Sequence, residues 1–326
     1  MLSKLKEKLS NVSVKPFLIG THNAGAFLHV GVEVLRNGGS AIDAVETATR
    51  LVELNTDDTS VGVGGIANLL GVQEMDASVM CGKTLNAGAV GAIKGFIHPI
   101  SVARKLLDVA PHVLLVGAGA ERFACAMGCE AGDTATELSD QVYRAFVNDA
   151  FEHEGIDESQ AWIVDYARSQ DLRAWYETLD DDQHGTVNIQ ARDANGDLAC
   201  AVSTSGTALK FPGRLGDSPI IGAGNYCDNR FGAAACTGRG ELSLRLGTAR
   251  TVVQYLESGL DAEAAAARAM RDIHALGSYG GMSCLVMQAD GHTASATTNP
   301  DRPNIHWYMD VECDAAQQRA GATIPA

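Results

Sequence analysis

Three groups of residues have the types and spacing for chemistry. Thr186 and Thr204 stand near opposite ends of the stretch HGTVNIQARDANGDLACAVSTSG, residues 184–206. The stretch reads as a β-hairpin, whose ends return side by side and bring two hydroxyls to one place. Threonine is also an ordinary strand residue, and on this stretch alone that plainer account is the stronger. Arg214 and Asp217 lie three apart in a loop rich in glycine and proline. Exposed to water they would form a loop salt bridge of little worth. Facing a ligand, a planar guanidinium holds a carboxylate through two bonds, and a carboxylate holds an ammonium. The α-groups of an amino acid present that pair of charges. Gly238 follows a run of small residues and precedes a helix. Its N–H can point outward as an oxyanion donor does, or simply open the helix.

The elements that must position these residues are legible in outline. In the hairpin, residues 186–192 and 198–204 are the strands, and Asp193–Asp197 carries the turn, with Asn195-Gly196 tolerating positive φ. The Ala-Cys-Ala-Val run at 199–202 indicates burial on both faces. Upstream, Phe17–Gly20 is a short strand, and a helix after it stops at Asn37-Gly38-Gly39. Ser40 caps the next helix, with Asp43 at its third position and apolar residues at 42, 45, 48, 51 and 52. Residues 60–65 are too glycine-rich for a regular element, and two strands with a turn near Gly71 are expected to follow, through Met80. Pro99 starts a helix through Leu107.

His112–Val116 reads as a buried strand running into Gly117-Ala118-Gly119-Ala120-Glu121-Arg122 and a helix. A dinucleotide fingerprint would need a third glycine where Arg122 stands, and a second strand ending in an acid. Residues 128–183 are polar, with two amphipathic helices at best and an exposed loop ending at Asp180–Gln183, a good place for a chain break. Beyond the hairpin, helices over 241–257 and 262–276 and strands over 281–288 and 293–298 are expected to close a layered α/β or α+β fold.

The 326 residues suffice for one large domain or two ordinary ones. The formal net charge of −15 argues against nucleic acid and anionic membranes as partners. The acidic clusters at 57–58 and 180–182 read as solvated loops. No segment has the apolar length of a bilayer span, and the N-terminus lacks the apolar core of a secretory signal. The eight cysteines sit in apolar settings expected of reduced thiols, which implies a cytoplasmic location. Cys125 and Cys129 have helical spacing without a partner pair, so core packing is expected and no metal.

Taken together, GGSAIDAVE at 38–46, SVGVGG at 60–65, MDASVM at 75–80, HPISVARKLL at 98–107 and HVLLVGAGAERFA at 112–124 form an ordered series. It continues with HGTVN, VSTSG, PGRLGDSPIIGAGNY and GAAACTGRGE. The series resembles the N-terminal-nucleophile hydrolases of the glycosylasparaginase and plant-type asparaginase (isoaspartyl peptidase) family, over nearly the whole chain and closer to the glycosylasparaginase branch.

The resemblance implies an α+β fold, a four-layer αββα sandwich made as one domain and cut into two chains. The cut would fall between Gly185 and Thr186, leaving residues 1–185 as the α part and 186–326 as the β part, assembled as (αβ)2. Thr186 would be nucleophile and, through its freed amine, its own base; such an amine has an unperturbed pKa of about 7.7–8.0. Thr204 would assist it and Ser60 would support it. Arg214 would hold the substrate α-carboxylate and Asp217 its α-ammonium, with Thr237 and the Gly238 N–H as the oxyanion hole. The substrate would be asparagine or an N4-substituted asparagine, opened through a β-aspartyl ester, with no cofactor and no metal.

This sequence departs from the pattern in places. Gly185 stands where glycosylasparaginases have Asp, as in the plant-type branch. Asn188 replaces a common glycine two residues after the nucleophile. Residues 20–25 hold no counterpart of the tryptophan that lines the glycosylasparaginase site. Two readings from other classes compete: a binding protein that keeps the Arg214/Asp217 clamp but never cleaves, and a nicotinamide oxidoreductase using residues 117–122.

Overall fold

The computed structural model describes residues 15–151, 185–277 and 280–326. His184 and the acidic run at 180–183 lie outside them, as does most of the polar segment expected before the hairpin.

The hairpin forms as its alternation and turn residues dictate. In chain order the strands are β1 Phe17–Gly20, β2 Met75–Cys81, β3 Ala87–Ile93, β4 Leu114–Val116, β5 Val187–Arg192 and β6 Leu198–Thr204. There follow β7 Asn225–Asp228, β8 Gly232–Gly238, β9 Met282–Gln288, β10 Thr293–Thr297, β11 Ile305–Asp310, β12 Gln317–Ala320 and β13 Ala322–Thr323. β5 and β6 pair antiparallel from Val187↔Ser203 to Arg192↔Leu198. Gly196 takes φ 81° in the turn, and the Asp193 carboxylate accepts from the Asn195 and Asp197 N–H groups. Asp193 is thus the side chain that closes this turn.

One sheet has eight strands in the order β12-β11-β1-β5-β6-β2-β3-β4, and the other has five in the order β13-β10-β9-β8-β7. Strand alternation sorts the side chains. Leu18, Val187, Ile189, Ala191, Ala199 and Ala201 join one core with helices α1 (Leu28–Arg36), α2 (Ala41–Glu53) and α3 (Pro99–Val109). Their neighbours Phe17, Ile19, Leu198 and Cys200 point the other way and pack on Cys227, Ala233, Leu285 and Met287 of the second sheet. After α4 (Gly117–Ala126), α5 (Glu137–Phe151) and α6 (Gly240–Leu246), helices α7 (Thr248–Glu257) and α8 (Ala262–His274) cover the second sheet's other face.

Several expectations need correction. The hairpin expected around Gly71 is instead β2–β3, with Leu85 at φ 59° in its turn. The strand ending at Val116 is an exposed edge; Val113 and Val116 are each 48% accessible. The single helix expected over 241–257 breaks at Gly247, whose φ of 58° ends α6 in the left-handed region. The fold does not close at residue 298. Ile305–Asp310 returns to the first sheet and pairs with β1.

Candidate active site

Alternation decides which way the two threonines face. Asn188 and Gln190 in β5 reach the second sheet, the former at Cys236 and the latter at the Leu285 carbonyl. Thr186, two residues before Asn188, lies on that same side. In β6, Ser203 donates to Glu53 of the helix layer, so Thr204 faces the gap between the sheets. The two threonines line one recess there, Thr186 only 6% exposed and Thr204 3%.

The Thr204 hydroxyl donates to the carbonyl oxygen of Gly185 at 2.6 Å and accepts from the Gly206 N–H at 2.9 Å. On the other side of the junction stands Ser60. A Cβ on Gly185 would fall 1.8 Å from Ser60 Oγ. Glycine is therefore the residue that lets the chain pass Ser60. Asp58 holds Ser60 by accepting from both its hydroxyl and its backbone N–H.

A relay runs on from there. Asn23 donates to Asp58 at 2.8 Å, Thr21 donates to Asn23 at 2.8 Å, and the Asn188 N–H donates to Thr21 Oγ1 at 3.0 Å. The relay brackets Gly185-Thr186 between Ser60 and Asn188. Asp58 is half-buried and bonded, which corrects its reading as a solvated acid. Neither Asp58 nor Asn23 was legible as a site residue, because only the fold brings residues 21–23 to 58–60.

Arg214, Asp217 and Gly238 border the same small recess as Gly185, Thr186 and Thr204, together with Gly206 and Gly240. The free space there is about 10 Å³, hardly a water molecule. Arg214 and Asp217 do not form the loop salt bridge that their spacing allowed. Arg214 instead gives its Nε and Nη2 to Glu241 at 2.9 and 2.7 Å. Its Nη1 lies toward the recess, 2.8 Å from where a Cβ on Gly216 would stand. Burial by itself would raise the Glu241 carboxyl, but the charge and hydrogen bond of Arg214 outweigh it and hold it below the usual range. Burial pushes the Asp217 carboxyl up to about 7, against the pull of Arg214. Asp217 is 4% exposed, and its Oδ2 has no partner. A carboxylate left short of a donor beside a positioned guanidinium has the chemistry to receive a molecule with both charges.

Lys210 is a further cation that the sequence did not reveal. It is fully buried, donates to the Glu74 carbonyl at 2.7 Å, and lies 3.0 Å from where a Cβ on Gly206 would stand. Its loop setting gave no hint of burial; burial lowers its pKa.

Thr237 lies on the far side of Gly238 and lines a larger cavity of about 370 Å³. Thr21, His22, Ser283, Asn304 and His306 border that cavity too, and no described lining residue is acidic. Burial keeps His306 at about 4, so it is a neutral hydrogen-bonding ring. The tryptophan missing from residues 20–25 has a neighbour in space: Trp307 donates to the His22 carbonyl at 2.8 Å and covers Gly25. Gly238 has φ 121°, and a Cβ there would come 2.4 Å from the Gly281 carbonyl oxygen. Among the described residues no cluster of His, Cys, Asp and Glu could hold a metal, and no helix is long and apolar enough to cross a membrane.

Two mainly antiparallel sheets with helices around a buried threonine junction are an α+β arrangement of the N-terminal-nucleophile hydrolase kind. The chain belongs to the asparaginase family, whose model matches residues 8–309. It is similar to an isoaspartyl peptidase/L-asparaginase of Rattus norvegicus, 37% identical over 74% of this chain and 66% of that protein. A plant-type L-asparaginase of Pyrococcus furiosus is 40% identical over 72% of each chain. An N(4)-(beta-N-acetylglucosaminyl)-L-asparaginase of Elizabethkingia miricola is 37% identical over 79% of this chain and 69% of its own. The chain thus spans just under two thirds of the rat relative, and all three names occur at similar identity.

Proposed function

We propose that the protein is an amidohydrolase that cuts itself before Thr186 and then opens the side-chain amide of asparagine or an N4-substituted asparagine. The observation that carries this reading is the bond from Thr204 to the Gly185 carbonyl, beside a buried Thr186 and the charged pair Arg214 and Asp217. Thr186 attacks that carbonyl and the acyl group passes from its nitrogen to its hydroxyl as an ester, which frees the amine; water then hydrolyses the ester, leaving the Gly185 carboxylate and the Thr186 hydroxyl. Residues 1–185 and 186–326 then remain together as the two halves of one four-layer αββα domain.

In the cut protein the amine takes the proton from the Thr186 hydroxyl, which attacks the substrate amide. Arg214 holds the α-carboxylate and Asp217 the α-ammonium. Thr237 and the Gly238 N–H receive the oxyanion, Thr204 assists the nucleophile, and Ser60 supports the junction. The Thr186 amine passes that proton to the substrate nitrogen, which leaves as ammonia or an amine, and water releases aspartate from the β-aspartyl ester. No step calls for a metal or cofactor. The exposed apolar residues Val109, Val113, Leu114 and Val116, at the end of α3 and along the edge strand β4, are candidate contacts for a second copy in an (αβ)2 assembly.

The cavity beyond Thr237 favours a leaving group larger than ammonia, and its described lining, which holds no acidic residue, suits the carboxylate of a β-aspartyl dipeptide. That makes a β-aspartyl peptidase the second reading; a clamp that binds amino acids without cleaving is the outcome if no cut occurs. Two measurements test the proposal. Denaturing electrophoresis with N-terminal sequencing should give a fragment starting at Thr186, and Thr186→Ala should abolish both the cut and aspartate release. Aspartate release from asparagine, N-acetylglucosaminyl-asparagine and a β-aspartyl dipeptide ranks the leaving groups. A permanently intact chain, or amidase activity retained by Thr186→Ala, rejects it.

A further inference from the structure

The side chain of Asn188 makes two contacts that fix its orientation. Its Nδ2 lies 3.0 Å from the Cys236 carbonyl oxygen and 2.6 Å from Thr237 Oγ1. A carbonyl can only accept, so the nitrogen and not the oxygen of the amide must face β8. One N–H goes to Cys236 and the other to Thr237. The Thr237 hydroxyl is therefore an acceptor toward Asn188, and its own proton must point elsewhere. Asn188 is fully buried.

We propose that Asn188 is a positioning residue that commits the Thr237 hydroxyl to donate toward the reacting centre. The proposal rests on the hydrolase reading and deepens it. A free threonine hydroxyl rotates and can present either a proton or a lone pair. An oxyanion needs the proton, already aimed, so that no reorganisation accompanies the reaction. Asn188 supplies this by occupying the hydroxyl's lone pair from behind. A glycine at this position, common in the family that the sequence resembles, could not do so. This chain therefore fixes its Thr237 donor by a route that a glycine-bearing relative would lack.

The cost of the arrangement is visible in the same side chain. Asn188 Oδ1 is buried without a partner. A buried acceptor left unpaired disfavours the folded state, so its retention is unexplained by packing alone. The N–H contacts to β8 are what the amide provides in exchange.

The test is a double-mutant cycle on purified, cleaved protein, with the active fraction counted from the fragment starting at Thr186 and L-asparagine, N-acetylglucosaminyl-asparagine and a β-aspartyl dipeptide as probes. Asn188→Ala should lower kcat about tenfold to a hundredfold, with KM changed less than about threefold, as expected when an oxyanion donor is weakened. Asn188→Asp keeps the shape but offers an acceptor, drawing the Thr237 proton away; it should lose as much as Thr237→Val. In a Thr237→Val background, either change should cost less than about twofold further. A purely structural Asn188 would give additive losses instead. Additive effects, a loss confined to KM, or full activity in Asn188→Asp overturns the proposal. If Asn188→Ala does not fold, the near-isosteric Asn188→Asp cycle decides alone. A cut parent protein that releases aspartate from none of the probes removes the hydrolase reading, and the positioning role falls with it.

Discussion

Thr204 Oγ1 and the Gly185 carbonyl oxygen are 2.6 Å apart, and the Gly206 N–H bonds back to the same hydroxyl. Because Gly206 donates, the Thr204 proton is directed at the carbonyl. The hydroxyl thus polarises the peptide bond that the proposed reaction breaks. Thr204→Val removes that donor while keeping the shape. It should slow appearance of the Thr186 fragment by about two to three orders of magnitude in a gel time course, and Thr204→Ser should restore most of the rate. A rate unchanged by Thr204→Val would detach this bond from the cut.

Gly185 and Ser60 are a steric pair. Any Cβ at 185 meets Ser60 Oγ and Cβ, and Asp58 holds Ser60 in place. Gly185→Ala should slow self-cleavage by about tenfold or more through misplacement of the carbonyl. Ser60→Gly added to it should recover part of the rate, because the space is returned. Equal cutting in Gly185→Ala and the parent would show that the junction yields freely.

Asp217 carries a pH dependence of two signs. Its carboxyl titrates near 7 in the fold, against an ordinary 3.8, chiefly through burial. Between those values the folded chain keeps a proton that the unfolded chain has released. Stability from this group is therefore greatest at and below the unfolded value and falls as pH rises toward 7. Asp217→Asn should flatten that fall in denaturant midpoints measured from pH 4 to 7. Substrate binding needs the ionised form, so KM should rise as pH falls below 7. A KM independent of pH in that range would count against Asp217 as the ammonium receptor.

Glu241 anchors the Arg214 side chain on the side away from the recess. Both Arg214 donors meet Glu241 Oε1, so Glu241→Gln keeps an acceptor for them and loses the charge. The pair is partly exposed, so the effect should be modest: KM for an aspartyl substrate up about twofold to fivefold, with kcat nearly unchanged. Arg214→Lys, which loses the planar fork, should be the more damaging change. The reverse order in kcat/KM would place the recognition elsewhere.

Much of this molecule is local and was therefore legible in the chain. The β5–β6 hairpin has its two strands at the expected residues because period-two patterning and the Asp193–Asp197 turn are short-range signals. The Ser40 cap and the Pro99 helix start followed from capping chemistry in the same way. Helix continuity over 241–257 misled because the amphipathic pattern runs through Gly247, and a left-handed residue leaves no mark on periodicity. The edge position of β4 was hidden because apolar residues look alike whether covered or not.

The order of residues alone supplied the candidate reactive groups: two threonines at a hairpin's ends, an arginine and an acid on one loop, and glycine before a helix. Only tertiary structure decided their partners. It gave Arg214 to Glu241 rather than Asp217, turned Asn188 from a departure into a donor to Thr237, and drew Thr21, Asn23 and Asp58 around the junction. The reason is physical. A hydrogen bond acts over about 3 Å and depends on direction, and β5 and β8 come within that reach only after two sheets have packed face to face.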